Sequence, residues 1–408
     1  MVQHLTLMRV LHFEIEPAPA PNAPLAPRRV LPVLVLAQVL GTSPWFAVNA
    51  VMPDLQHAFG WDASAVGTLT AALQLGFIVG TLMFALLTVA DRFAARRVFL
   101  FCALAAAACT LAAAASAGQF ATLVVWRALT GFFLAGIYPV GMKLASMWFP
   151  RGLGSALGWL VGALVLGSAS PHALRALGAN WPWTTVFVAV ALAAVLAGLL
   201  VLLLLPEPAP RPMPALHLSA LNSLWRDRRV RASVLGYFGH MWELYTLWVL
   251  LPLVLATRLL DSVAVSWWSF AAVGAGALGC VWGGLAAQRH GSAAVASRQL
   301  ALGGCCGLLA PWLLDAPLPF FLAWLLLWGV TVAGDSPQFS ALTAANAPPE
   351  AVGSVLTLSN SIGFAISVLS IELFVRLAQS LPLAQLLPWL ALGPALGLLA
   401  MRPLHARR

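Results

Sequence analysis

Two stretches of sequence decide the fold: Gly131-Phe-Phe-Leu-Ala-Gly136-Ile-Tyr-Pro139 and Gly329-Val-Thr-Val-Ala-Gly334-Asp-Ser-Pro337. Both follow the pattern Gly-x4-Gly-x2-Pro, and they lie 198 residues apart. Trp126 and Trp324 precede them at the same offset. Matches at several positions in one register indicate an internal duplication. The sequence therefore predicts two copies of one structural unit.

The composition is that of a protein embedded in a lipid bilayer. Hydrophobic residues make up 61% of the 408 residues, charged residues make up 9%, and the mean hydropathy is +0.90. A soluble domain carries roughly 25% charged residues, so a soluble enzyme, a nucleic-acid binder and a disordered chain are excluded. A β-barrel is excluded as well, because its strands are alternating segments of about 10 residues. The apolar runs in this chain are unbroken and longer.

Twelve stretches are long and apolar enough to cross a bilayer as a helix, which takes about 20 residues. They are 30–53, 64–88, 98–117, 119–141, 152–173, 183–205, 230–257, 265–286, 295–314, 318–340, 353–378 and 383–401. Pro139 and Pro337 interrupt helices 4 and 10, which a bundle tolerates because neighbouring groups satisfy the freed backbone. The predicted fold is an all-α membrane protein with twelve transmembrane helices in two six-helix halves.

Polar and proline-rich stretches mark the limits of the two halves. The predicted organisation is a disordered cytoplasmic tail at 1–29, a first half at 30–205, a cytoplasmic linker at 206–229, a second half at 230–401 and a basic cytoplasmic tail at 402–408. With the N-terminus in the cytoplasm, 18 of the 22 lysines and arginines fall on the cytoplasmic side. Positive charge is expected on that side of a membrane protein, so both termini are predicted to be cytoplasmic.

The loop after helix 2 resembles the signature loop of the major facilitator superfamily, which reads roughly Gly-x3-Asp-Arg-x-Gly-Arg-Arg. Asp91-Arg92 and Arg96-Arg97 match this signature, whereas Leu87 and Ala94 stand in place of its two glycines.

Two further motifs carry the same resemblance. The second half has Gly284-x3-Gln288-Arg289-x-Gly291, and helix 4 has the pattern Arg127-x3-Gly131. The chain thus resembles the superfamily over about residues 30–401, and loosely its bacterial cyanate and nitrate/nitrite carrier-like group.

The resemblance implies a fold, a location and a mechanism. Two rigid halves would rock about a central site in the bacterial inner (plasma) membrane and expose it to one side at a time. The implied conformational switch consists of Asp91, Arg92, Arg96, Arg97, Gly284, Gln288, Arg289 and Gly291. The expected partners are a small-molecule solute, protons as the coupling ion and the lipid bilayer. No nucleic-acid partner is expected, and the protein is expected to be a monomer.

Charged side chains within a membrane cost at least about 2.5–3.5 kcal/mol each, which makes them candidates for function. The resemblance implies that helices 1, 4, 7 and 10 line the central cavity. The predicted substrate-binding residues are Asn49, Arg127, Tyr138, Tyr245 and Gln338. Arg127 is a fixed positive charge that either binds an anionic substrate through its planar fork or pairs with a carboxylate across the cavity.

Three ionisable residues in the second half are the predicted proton-coupling groups. His240 and Glu243 stand three residues apart in helix 7 and so share one face of it. Glu243 is the candidate proton carrier because burial favours the neutral form of a carboxyl group. His240 shares that proton, or else forms a buried hydrogen bond that only holds helix 7. Asp335 joins this set, or else caps backbone groups freed near the break in helix 10.

Other classes of membrane protein lack the motifs they require. An ATP-driven pump needs a Gly-x4-Gly-Lys-Ser/Thr loop on a soluble domain, and an intramembrane metalloprotease needs His-Glu-x2-His. The five cysteines show no metal-ligand spacing, so no metal is expected. No other cofactor and no enzyme activity are expected either. The predicted function is secondary active transport of a small solute, coupled to protons, with an anion as one candidate solute. The alternative is proton-driven efflux of amphipathic drugs or metabolites, although the Gly-Pro-x2-Gly-Gly pattern of drug antiporters is absent from helix 5.

Overall fold

The computed structural model describes residues 27–149, 153–206, 226–348 and 351–405. In this part of the chain every regular element is a helix, which confirms the all-α prediction. Large apolar side chains stand exposed on these helices, for example Leu192 at 65%, Leu203 at 72% and Leu278 at 69%. So apolar a surface suits lipid rather than water. The predicted N-terminal tail at 1–29 and the predicted linker at 206–229 lie almost entirely outside the described residues.

Twelve helical segments follow the predicted order and are numbered α1 to α12. They are α1 Val30–Ala50, α2 Ala65–Leu86, α3 Ala95–Ala115, α4 Phe120–Trp148, α5 Leu153–Leu177, α6 Thr184–Leu204, α7 Arg228–Ala256, α8 Ser262–His290, α9 Ser292–Leu308 with Ala310–Leu313, α10 Leu318–Asn346, α11 Val352–Leu377 and α12 Leu383–His405. Of the described helices, eleven are long and apolar enough to cross a membrane, and α9 is divided by a turn at Leu309. The prediction of twelve helices in two halves is confirmed.

The two halves meet along two pairs of helices, α2 with α11 and α5 with α8. Small residues bring the second pair close: a Cβ added at Gly162 would lie 3.3 Å from the carbonyl oxygen of Ala277. In the first pair, the Ser367 hydroxyl donates a buried hydrogen bond of 2.8 Å to Gln74 Oε1. Small residues allow close helix contacts without lipid between them, and such contacts let one half move over the other.

The repeated glycines are the points where helices touch within each half. A Cβ added at Gly131 in α4 would lie 1.8 Å from the carbonyl oxygen of Leu73 in α2. In the second half, a Cβ at Gly329 in α10 would lie 1.9 Å from the carbonyl oxygen of Ala272 in α8. No side chain fits at such a distance, so the duplicated glycine sets the spacing of equivalent helix pairs.

The repeated prolines mark a break in the equivalent helices α4 and α10. The two pieces of α4 are Phe120–Leu134 and Tyr138–Trp148, and those of α10 are Leu318–Gly334 and Ser336–Asn346. Each proline stands in the first turn of its second piece, where a missing N–H leaves no hydrogen bond unmade. The breaks place Tyr138 and Ser336 at equivalent positions, each opening a helix.

Replacing Gly329 by alanine tests whether the glycine contact holds the second half together. The added methyl group forces α8 and α10 apart, and overpacking of this kind costs roughly 1–3 kcal/mol. We expect Gly329→Ala to lower the thermal unfolding midpoint of the purified protein in detergent by several degrees.

The matched control is Gly284→Ala in α8, because a Cβ at Gly284 would meet nothing within 4 Å. This variant is expected to unfold at the temperature of the unmodified protein or slightly above it. Equal midpoints for both variants would contradict the assignment of the glycine contact.

Candidate functional site

A cavity lies between the two halves, with a volume of about 40 Å³. Its wall is formed by α4 and α5 of the first half and by α7, α10 and α11 of the second. A water molecule needs roughly 10–15 Å³ measured this way, so the cavity holds only a few waters in the state described. A larger solute can enter only when the halves move apart.

Tyrosine side chains are prominent in the lining of the cavity. The sequence contains three tyrosines, and all three line the cavity: Tyr138 on α4 and both Tyr237 and Tyr245 on α7. Three smaller polar residues, Ser336, Ser340 and Asn360, complete the polar part of the lining. Within the described part of the chain, no lining residue carries a charged side chain.

Of the predicted substrate-binding residues, the structure places Tyr138 and Tyr245 in the cavity wall. Asn49 instead donates from Nδ2 to the Thr70 hydroxyl at 2.9 Å, within the first half. Gln338 is buried at 3% exposure and is not among the lining residues.

Sequence reasoning did not single out Tyr237 or Trp248, although a signal for both is present. Tyr237, Met241, Leu244 and Trp248 follow one another at spacings of four, three and four residues. This spacing puts them on one face of a helix, and the structure turns that face of α7 toward the cavity.

An aromatic cluster drawn from both halves closes the cavity at the end nearer Ala256 of α7. In the first half it consists of Trp45, Phe46 and Phe77, and in the second half of Tyr245, Trp248 and Phe364. Trp45 stacks on Tyr245 with ring centroids 5.8 Å apart, and Phe46 meets Trp248 edge-on at 5.9 Å. Aromatic pairs in such geometries contribute about 0.5–1.5 kcal/mol each beyond the area they bury. The cluster is therefore a substantial contact between the halves.

Arg127 holds the backbone segment that carries this cluster. Its side chain is fully buried on α4, and it donates from Nη1 to Pro44 O at 3.0 Å and from Nη2 to Trp45 O at 2.6 Å. Residues Ser43–Phe46 form a 3-10 turn that interrupts α1, and such an interruption leaves carbonyls without intrahelical partners. Among the described residues, no carboxylate pairs with Arg127, and Arg127 does not line the cavity.

His240 and Asp335 form a buried pair in the second half. His240 Nδ1 lies 2.8 Å from Asp335 Oδ1, and each side chain is 1% exposed. Asp335 stands at the break in α10, with Ala333 and Ser336 of the cavity wall on either side of it. The pair therefore lies directly behind that wall.

Glu243 has different neighbours from those that its position in α7 suggested. The Trp328 indole N–H donates to Glu243 Oε1 at 2.6 Å, and a Cβ added at Gly303 would lie 3.0 Å from both carboxyl oxygens. Glu243 is 1% exposed and is held between α9 and α10. His240 and Glu243 thus each bind a partner on α10, one turn apart along α7.

The predicted switch residues lie at the ends of helices. Arg96 donates to the carbonyl oxygens of Leu202 and Leu205 at the C-terminus of α6, within its own half. Gly291 ends α8 with φ at +81°, a conformation that favours glycine.

The other members of the predicted switch are less engaged. Arg92, Arg97, Gln288 and Arg289 are exposed, and a Cβ at Gly284 would meet nothing within 4 Å. The Asp91 side chain lies outside what the structure describes, so its predicted bracing of the other half stays a prediction.

A known protein of solved structure shares this architecture. None of the curated proteins matches the sequence. The solved structure of the human organic anion transporter MFSD10 (TETRAN) has a similar fold, with a TM-score of 0.70. The two are 17% identical, and the match covers 92% of this chain and 99% of the human one. The sequence model of the Major Facilitator Superfamily matches residues 34–371. The chain therefore belongs to this superfamily of membrane transporters.

Proposed function

We propose that this chain is a proton-coupled secondary transporter, a symporter or antiporter, that carries a small solute through the central cavity by alternating access. The observation that carries the proposal is the position of the His240–Asp335 pair directly behind the cavity wall. Membership of the transporter superfamily supports movement of a solute rather than an enzyme activity.

The pair offers a physical route from proton binding to solute binding. A proton arriving at Asp335 or His240 changes the net charge of a group that water does not screen. Asp335 is continuous in the backbone with Ser336, whose side chain faces the cavity. If a proton binds the inward-open and outward-open conformations with different affinities, its binding shifts the balance between these two conformations. Glu243, one turn farther along α7, is a second buried acid that can take part.

The predicted orientation and location complete the proposal. We place the protein as a monomer in the bacterial inner membrane with both termini in the cytoplasm, since 18 of the 22 basic residues then lie on the cytoplasmic side. In that orientation the aromatic cluster closes the outer side of the cavity. Separation of Trp45 from Tyr245 would then open the cavity outward.

The position of Arg127 weighs against the anion-binding role that the sequence suggested for it. Two of its donors already bind Pro44 O and Trp45 O. We propose instead that Arg127 is a positioning residue, which keeps Trp45 against Tyr245.

The coupling role of Asp335 is tested with protein reconstituted in liposomes under an imposed pH gradient. The solute is the best responder from a screen of anions, neutral aromatic compounds and dyes. We expect Asp335→Asn to reduce gradient-driven transport at least about ten-fold, whereas solute exchange at equal pH stays within about two-fold. The amide can still occupy the site but cannot release a proton.

The matched control for this variant is Asp315→Asn, since Asp315 is exposed in the loop between α9 and α10. It should change neither measurement. Gradient-driven transport that survives in Asp335→Asn would remove this carboxyl group from the coupling step.

Glu243→Gln tests the second acid without disturbing its packing. Glutamine keeps an oxygen for the Trp328 N–H and has the same size, so the thermal midpoint should hold. We expect the pH dependence of transport to flatten, because one titrating group is lost. Glu372→Gln, in which the partly exposed partner of Arg376 is changed, is the control. An unaltered pH profile in Glu243→Gln would assign Glu243 to structure alone.

Arg127→Gln tests the positioning role. Loss of the guanidinium leaves two buried carbonyls short of donors, at a cost of roughly 1–3 kcal/mol each. We expect a lower thermal midpoint and a raised KM for the solute. Anionic and uncharged solutes should be affected alike. A loss confined to anions would restore the anion-binding role.

A further inference from the structure

We propose that the central cavity takes an uncharged, flat aromatic solute that bears hydroxyl or carbonyl groups. This inference rests on the proposed function, because it names the substrate class of the same cavity. It follows from the polar groups that the cavity leaves unpaired, from the charge of its lining and from the distribution of apolar residues around it.

The polar side chains of the lining have no protein partners. Within the described residues, none of the three tyrosine hydroxyls makes a hydrogen bond to protein, and neither do the side chains of Ser336, Ser340 and Asn360. The indole N–H of Trp248, which also lines the cavity, is buried without a partner as well. Tyr237 and Tyr245 are nevertheless only 7% and 3% exposed. Buried polar groups cost free energy when they stay unpaired. Water or a solute must therefore satisfy these seven groups, and a solute that does so carries several hydrogen-bonding atoms.

The lining also disfavours a charged solute. His240 and Asp335, behind the wall, face each other at 2.8 Å. Arg127 is held by backbone carbonyls. A charged solute would leave water and meet no opposite charge in the wall, a transfer that is strongly unfavourable. An uncharged solute avoids this cost.

Aromatic rings can attract a cation through their faces, but the faces of this cluster are occupied by other rings. Tyr245 is stacked with Trp45 and Phe46, at interplanar angles of 19° and 4°. It also meets Trp248 at 5.2 Å in an edge geometry. Ring edges carry partial positive charge. The arrangement around Tyr245 therefore disfavours a cation at that ring.

Apolar residues cover the side of the cavity formed by α5. Val161, Leu164 and Val165 line it there, and α7 adds Met241 and Leu244. The hydroxyls and the Asn360 amide come from α4, α7, α10 and α11. A solute matching this arrangement has an extended apolar face and a polar edge. A planar aromatic ring with polar substituents has that shape, whereas a sugar presents hydroxyl groups on every side.

Three compounds that share a phenol ring and differ in the charged or uncharged group opposite its hydroxyl provide the test. The probes are 4-hydroxybenzamide, which is uncharged, 4-hydroxybenzoate, an anion, and 4-hydroxybenzylammonium, a cation; glucose represents neutral non-aromatic solutes. Binding to the purified full-length protein in nanodiscs is measured by saturable thermal stabilisation and by quenching of tryptophan fluorescence. We expect 4-hydroxybenzamide to bind at least about ten-fold more tightly than either charged analogue and glucose to show no saturable binding.

Variants assign the binding to the cavity. Each of Tyr138→Phe, Tyr237→Phe and Ser336→Ala should weaken binding of 4-hydroxybenzamide about three- to ten-fold. Ser359→Ala should leave it unchanged, because Ser359 neighbours Asn360 but hydrogen-bonds to its own helix at Val355 O. Tighter binding of an analogue or of glucose, no saturable binding of 4-hydroxybenzamide, or equal binding in all variants would overturn the inference.

Transport measurements separate this inference from the proposed function. If 4-hydroxybenzoate binds most tightly and moves under a pH gradient in an Asp335-dependent manner, the transport function stands and the substrate class falls. If 4-hydroxybenzamide binds through the tyrosines but is not moved by any pH gradient, the substrate class stands and proton-coupled transport falls.

Discussion

The absence of water from the bilayer interior is the constraint on which this structure depends. Every polar group placed there needs a partner within the protein or in a cavity. Arg127 shows the constraint directly, since a full positive charge is buried in order to supply donors to Pro44 O and Trp45 O. The same constraint explains why His240 and Asp335 face each other and why the Trp328 indole binds Glu243.

The duplicated glycines fix the packing within each half. Gly131 and Gly329 set equivalent helix pairs at backbone contact. Between the halves the contacts of the described residues are of another kind: small residues along α5 and α8, a hydrogen bond from Ser367 to Gln74, and stacked rings. The α5–α8 pair is the most extensive helix contact in the described chain, so small residues rather than polar bonds make up most of the junction between the halves.

Periodicity, composition and internal symmetry were sufficient to predict the fold. The twelve segments, the two halves and the breaks at Pro139 and Pro337 follow from apolar length, from the repeat and from backbone chemistry, all of which can be recognised without knowing which residues touch in space. The partners of the buried charges could not be predicted in this way. A spacing of three residues places His240 and Glu243 on one face of α7, but it does not reveal that Asp335 and Trp328 lie opposite them. Likewise, the sequence marks Arg127 as buried and charged, but the 3-10 turn that it satisfies appears only in three dimensions.

The confinement of all three tyrosines to one cavity has a spectroscopic consequence. A protein of this size would ordinarily spread its phenol rings over core, loops and lipid surface. Here, biosynthetic incorporation of 3-fluorotyrosine would put every fluorine nucleus around this cavity. Each of the three ¹⁹F resonances would then report local solvation and any change in the packing around the cavity, with no background from the remainder of the chain.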